Sequence, residues 1–185
     1  MLKPKSDLEE AIRHFLSSQH PAHDVEVRNG EIVVVSPHDL LSSSVVVCLT
    51  SLLSRFVDSH QLGHVFESNG GFRYGDGDMI APDVSYISRE RLPKVPRTFA
   101  RAVPELVVEV QSSTQRAKAL RVKLALLLEK GSTVGVFVDP GMHIVEIHRN
   151  GADPVMLGDG DIIEFPDILP GLRIAVADLW PPEYD

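Results

Sequence analysis

Ala81-Pro82-Asp83-Val84, Pro104-Glu105-Leu106-Val107-Val108-Glu109-Val110-Gln111 and the helix-like run holding Lys123 are the stretches whose reading decides the fold. Asp83 and Glu109 each interrupt an apolar, β-branched run, where a carboxylate is costly to bury. Leu106 to Val110 is nearly continuous in apolar residues, as in a strand covered on both faces. A helix is expected from about Thr114 to Lys130, ended by Gly131, and then a second central strand over Thr133–Val138. Two acids on adjacent buried strands repel each other unless a cation sits between them. Carboxylate oxygens suit hard ions such as Mg²⁺ or Mn²⁺, and a nearby lysine completes a charge set able to activate water against a phosphodiester. The expectation is a metal-dependent nuclease core.

Outward from that core, residues 7–19 read as a short helix stopped by Pro21. Val25–Arg28 and Glu31–Val35 flank Asn29-Gly30, a strong hairpin signal. Ser36-Pro37 stops the second strand, and Asp39 to about His60 reads as a helix with Leu41, Val45, Leu49, Leu52, Leu53 and Phe56 along it. Short strands follow at His64–Glu67 and Gly71–Tyr74, then Asp83–Ile87. Residues 88–103 read as a basic surface connection containing Arg89, Arg91, Lys94, Arg97 and Arg101. Met142–Arg149 is a hairpin partner of the strand before it. Beyond it lie a short tail with strand signals at Ile162-Ile163 and Leu172–Ile174 and a polar end near Trp180. The fold class expected is α/β (α+β), a mixed central sheet with a helix on each face, in one domain over residues 1–185.

Composition is that of an ordinary soluble domain: 185 residues, 43% hydrophobic and 24% charged. No run is read as a membrane span, and the first residues lack a signal-peptide apolar region. The single cysteine, Cys48, excludes a disulfide framework or a cysteine-based zinc site, so a cytoplasmic location is expected. A net charge of −8 argues against a general nucleic-acid coat protein, but not against an acidic metal site with a local basic patch.

Each candidate has a plainer reading beside the functional one. Asp83 follows Pro82 and could cap a turn. Glu109 shares a face with Val107 and Gln111 by alternation, and an edge strand would leave it wet. Lys123 flanks a Leu120, Leu124 and Leu127 stripe, where a solvated basic flank is common; the alternative is that it leans over the strand end toward the carboxylates. Glu26, in the first hairpin, is a possible third acid. His38, His60 and His64 read as surface or turn residues, and no histidine pair has metal-ligand spacing.

Taken together, the order and spacing of these motifs resemble the Uma-type restriction endonuclease family, a branch of the PD-(D/E)XK nuclease superfamily. The matching positions are Glu26 and Gly30, Ser36-Pro37, Pro82-Asp83-Val84, Pro104 through Val110, Ser112, Lys123, Gly131 and Val138-Asp139-Pro140. They span about residues 20–150, which the resemblance makes a restriction-endonuclease-like core. It implies that Asp83 and Glu109 are the metal ligands and that Lys123, on the helix, is the superfamily lysine displaced from the strand, where Gln111 now stands. The chain differs from the family at Ser112-Ser113-Thr114-Gln115, where many members have Ser-Pro-Ser-Thr. It also differs at Ala119, commonly an acid, and at Leu127, commonly a tyrosine. The histidine often opening the long N-terminal helix has no counterpart among Ser42, Ser43 and Ser44.

The resulting expectation is a DNA endonuclease, working as a homodimer away from membranes. Asp83, Glu109 and the Val110 carbonyl would hold Mg²⁺ or Mn²⁺, and Lys123 would stabilise charge. Gln111 would position water, and the arginine-rich connection would contact phosphates. Two rivals stand beside it: a catalytically decayed nuclease-fold module acting in binding or assembly, and a metal hydrolase of small phosphoesters.

Overall fold

The computed structural model describes residues 24–35 and 37–184. The helix expected over 7–19 and the serine of Ser36-Pro37 lie outside the described residues. The first hairpin forms as expected: β1 (Asp24–Arg28) and β2 (Glu31–Val35) pair antiparallel. Asn29 and Gly30 have φ of 51° and 75°, the left-handed pair a two-residue turn requires. Helix α1 (Leu40–Ser59) starts where Asp39 accepts a hydrogen bond from the Ser42 N–H, and its Val45, Val46, Leu49, Leu53 and Val57 are buried. By length and composition α1 could cross a membrane, unlike the expectation that no run reaches a span. Here its apolar stripe packs on a sheet.

That sheet has six strands in the order β10-β9-β8-β7-β6-β3: β3 (Gly63–Glu67), β6 (Val84–Ser88), β7 (Leu106–Val110), β8 (Val134–Asp139), β9 (Ile144–His148) and β10 (Val155–Leu157). Only β7 and β8 run parallel, because α2 (Ala117–Glu129) crosses over between them. A smaller sheet, β2-β1-β5-β4, adds β4 (Phe72–Arg73) and β5 (Met79–Ile80) to the first hairpin. β5 and β10 were not foreseen. Alternation divides the large sheet between the two helices. Val84, Tyr86, Val108, Val110, Val136 and Val138 share a core with α1, while Ile87, Val107 and Phe137 pack with Leu120, Leu124 and Leu127 of α2.

Two sequence expectations change. Helix α2 starts at Ala117 rather than near Thr114, since the Ser113 N–H is drawn to the Asp39 carboxylate at 2.7 Å. The residues read as a short tail form a hairpin, β11 (Ile162–Phe165) and β12 (Leu169–Ala175), and a 3-10 turn over Val176–Leu179. Ile163, Phe165, Leu169, Leu172, Ile174 and Leu179 are buried in the α1-side core, so this end is part of the packing.

Candidate active site

The centre forms where β6 enters and β7 leaves the large sheet. Val84 is paired with Val108, so Asp83, one residue earlier, faces Glu109 across the antiparallel pair. β7 is a central strand, and Glu109 is 1% exposed, which removes the wet-edge reading. One Asp83 oxygen accepts the Val110 N–H at 2.7 Å; the other lies 3.0 Å from Nε2 of His38.

Lys123 does not flank the apolar stripe of α2 but belongs to it, buried with Leu120, Leu124, Leu127 and Leu128. Its ammonium lies 2.7 Å from Oε1 of Glu109 and 2.9 Å from Oε1 of Glu26, and donates to the Ala81 carbonyl at 3.1 Å. One hydrogen bond, to Ala81, and two ionic contacts thus surround the ammonium. The Glu109 contact is ionic without hydrogen-bond alignment, so Oε1 of Glu109 is buried with charge beside it but no aligned donor. Burial opposes the charge on Lys123, but Glu109, Glu26 and Asp83 outweigh it and hold the lysine above its ordinary range. Burial pushes the Glu109 carboxyl up from its ordinary range, with Lys123 opposing the rise and Asp83 and Glu26 adding to it.

Glu26 is 3% exposed because β1 is braced against β5. Its carboxylate accepts the Ala81 N–H at 3.0 Å, and its other oxygen pairs with Arg28. It therefore joins Lys123, Glu109 and the chain leading into Asp83. Gln111 is half-buried. Its N–H donates to the Val138 carbonyl at 2.8 Å, its carbonyl accepts from the Ser42 hydroxyl at 2.7 Å, and its side-chain oxygen is buried without a donor.

His38 was read as a surface or turn residue, but its side chain is 14% exposed and it lies on Asp83. The Asp83 hydrogen bond raises its pKa, against burial. Asp39 explains the placement. It caps α1 through Ser42 and reaches across to Ser113 after β7, pinning the start of α1 over the strand end. A polar residue directly before an N-cap, two positions before the helix, was the available signal. Tyr74 was also missed: its hydroxyl is buried without a partner, and burial with the charges of Glu26 and Glu109 raises it well above its usual range.

The basic connection does not arrive as a group. Arg89 and Arg91 follow β6 at the end remote from Asp83, roughly 15–20 Å along the strand at ~3.3 Å per residue. Arg89 pairs with Glu90, and Arg91 with Glu105 at 3.0 Å and the Val103 carbonyl. Lys94, Arg97 and Arg101 are exposed and have no ion partner among the described residues. Among the described residues no group of three or more His, Cys, Asp or Glu side chains is disposed to hold a metal ion, so Asp83 and Glu109 are a two-carboxylate set.

A mixed sheet with strand-end carboxylates and a helix lysine is a nuclease-like arrangement. The chain matches the model of the Uma2 family, described as "Putative restriction endonuclease", over residues 9–177, and it belongs to that family. It is similar to the crystal structure of a "putative nuclease belonging to DUF820" from Anabaena variabilis, with a TM-score of 0.78 and 20% identity. That alignment covers 93% of this chain and 96% of the other, and it shows the shared fold. The cryoEM structure of a DrdV-DNA complex aligns at a TM-score of 0.43 and 13% identity, over 87% of this chain and 89% of that one. No curated protein matches the chain.

Proposed function

We propose that this chain is a divalent-metal-dependent endonuclease acting on DNA in the cytoplasm as a homodimer. The observation that carries this reading is the buried Glu26–Lys123–Glu109 contact set beside Asp83, at one sheet end and on one face. The donor chemistry fits a hard cation. Buried oxygens of Glu109 and Gln111 lack aligned donors, and Asp83 and Glu109 come from neighbouring strands. Asp83 and Glu109, with the Val110 carbonyl, would hold Mg²⁺ or Mn²⁺, which when bound lowers the pKa of water and neutralises phosphate charge.

The remaining work falls to the chain itself. Lys123 stays protonated and supplies fixed positive charge where a phosphate would gain negative charge. Glu26 positions that ammonium. Gln111, neutral, offers an amide to orient water but cannot replace the lysine's charge. His38 holds one Asp83 oxygen while the Val110 N–H holds the other, fixing that carboxylate's rotamer. Two-fold pairing would give one such centre to each DNA strand.

The test is cleavage of plasmid DNA with Mn²⁺ or Mg²⁺ by wild type, Asp83→Asn and Glu109→Gln. Loss of cleavage in both variants is expected; wild-type cleavage in either ends this assignment. One observation favours the rival, a decayed module acting in binding or assembly: Lys123 already serves as the cation between Glu26 and Glu109, so that pair is compensated without metal. That reading expects no thermal shift with Mn²⁺, whereas the nuclease reading expects a rise of several degrees.

A further inference from the structure

Between the β3–β4 turn and residues 92–100 lies a cleft of about 350 Å³, within the range of small-ligand sites, roughly 300–1,000 Å³. Phe66, Phe72, Phe99, Val95 and Pro96 supply its apolar lining, and Asn69 and Thr98 its polar side chains. Phe72 is 1% exposed and packs edge-on to Phe66 with ring centroids 6.0 Å apart, while Phe99 is 44% exposed. Gly70 and Gly71 complete the wall without side chains. A Cβ on Gly71 would fall 2.2 Å from the Phe99 ring, so only glycine lets that ring lie against the turn.

Strand register places this cleft near the centre. Phe66 is paired with Ser85, and Ser85 with Val107, so the three form a row across β3, β6 and β7. Glu109 is two residues further along β7 on the same face. With strands ~4.8 Å apart and a rise of ~3.3 Å per residue, Phe66 and Glu109 backbones are on the order of 12 Å apart. The rim is cationic. Lys94 and Arg97 alternate with the lining residues Val95, Pro96 and Thr98, are exposed, and have no ion partner among the described residues. Among the described residues Arg28, Arg89, Arg91, Arg121, Arg149 and Arg173 pair with a carboxylate, whereas Lys94 and Arg97, like Arg55, Arg101 and Arg116, do not.

We propose that the cleft seats one unpaired nucleobase of the bound strand against Phe66 and Phe99, with Lys94 and Arg97 holding the adjoining phosphates. This rests on the nuclease reading for the identity of the strand. The exposed Phe99 ring and the half-buried Phe66 ring, beside unpaired cations, match a planar π face joined to negative charge, the pattern of single-strand recognition. An apolar peptide would leave both cations unused. Asn69 adds a polar edge: its amide N–H donates to Glu67, which leaves its carbonyl oxygen available as an acceptor for a base amine.

The experiment uses a short oligonucleotide carrying 2-aminopurine, single-stranded or fully paired, bound to the full chain in EDTA so that no cleavage intervenes. Binding of the single strand should quench the fluorescence more than binding of the duplex. Phe99→Ala should weaken that binding roughly fivefold to a hundredfold, the range for one lost base–aromatic stack, and Phe99→Tyr should retain it. Arg97→Ala should weaken binding and flatten its salt dependence while leaving the quench at saturation unchanged. Wild-type affinity and quench in Phe99→Ala overturn the proposal. So does a Phe99→Ala change in sedimentation without a change in DNA binding, which makes the cleft a contact between copies. Mn²⁺-dependent cleavage, measured separately, keeps the two readings apart. Cleavage without the Phe99-dependent quench sinks the base seat alone; the quench without cleavage sinks the nuclease reading and leaves the seat.

Discussion

The Lys123 ammonium lies 2.7 Å from Oε1 of Glu109, and each side chain is only 2% exposed. A lysine taken from the apolar stripe of a helix is thus the counter-charge for a carboxylate near the end of a central strand. It is buried like Leu120, Leu124, Leu127 and Leu128 of α2, and its head meets Glu109, Glu26 and the Ala81 carbonyl.

Breaking such a pair from one side leaves a buried charge alone, at a cost of about 3–5 kcal/mol. Lys123→Ala should therefore destabilise the fold by that order in urea unfolding. Adding Glu109→Gln should recover part of the loss, since a neutral amide needs less compensation. Equal stability of wild type and Lys123→Ala would mean that the ammonium is solvated and the contact set does not form in solution.

Asp39 sets an acid-side dependence. Hydrogen bonds from the Ser42 and Ser113 N–H groups hold its carboxyl well below the ordinary 3.8. Near and below that value the unfolded chain binds more protons, so stability rises with pH there. The contribution is present above about 3.8 and is lost as pH falls through the lower folded value. Asp39→Ala should cost about 1–2 kcal/mol near neutrality as a lost helix cap. The gap to wild type should close as pH drops below about 3.8, followed by circular dichroism. A gap constant down to the lowest pH would show that the carboxylate charge is irrelevant to the cap.

Arg91 gives the opposite expectation from Arg97. It is engaged with Glu105 and the Val103 carbonyl at the remote end of β6. Arg91→Ala should lower stability by about 1 kcal/mol or less, since the arginine is part-exposed. It should leave DNA affinity and its salt dependence unchanged in an anisotropy titration. A reduced salt slope would place Arg91 on the nucleic acid and restore the whole 89–101 connection as one phosphate-contacting group.

The local patterns were legible wherever one short rule dominates. Asn29-Gly30 marks its turn, and Leu106–Val110 its buried strand. The pairing of Asp83 with Glu109 followed from two carboxylates in apolar runs, a cost that has to be compensated. Non-local placement was harder. Nothing near His38 in sequence reveals that Asp39 ties Ser113 to the start of α1 and so carries His38 to Asp83. The basic connection looked uniform because sequence shows charge but not direction. In the fold, its first arginines stay at one end of β6, while Ala100 returns to pair with Phe72 at the other side of the cleft. Ile162–Phe165 and Leu169–Ala175 looked like a tail because their apolar residues alternate over short spans. Their burial is decided by α1, more than a hundred residues earlier.

In the proposed cleavage the lysine's part would fall to Lys123 on the helix rather than to Gln111 on the strand. Gln111 stands two positions after Glu109 on the same strand face, and its buried oxygen has no donor among the described residues. It carries no charge, so it cannot supply the electrostatic contribution. Lys123 can, because its ammonium already lies on Glu109 from the helix side. Loss of a charge that acts mainly in the transition state lowers kcat more than it raises KM. Lys123→Ala should therefore cut Mn²⁺-dependent cleavage on the order of a hundredfold or more, measured at a temperature where the variant remains folded. Gln111→Ala should cost less. Gln111→Lys placed on Lys123→Ala should restore part of the rate by returning the charge from the strand, and part of the stability by giving Glu109 a partner again. Unchanged cleavage in Lys123→Ala beside its abolition in Asp83→Ala would assign the charge to another residue. A double variant that regains stability but no rate would separate the structural role of the cation from its catalytic one, and would leave the helix position itself as the requirement.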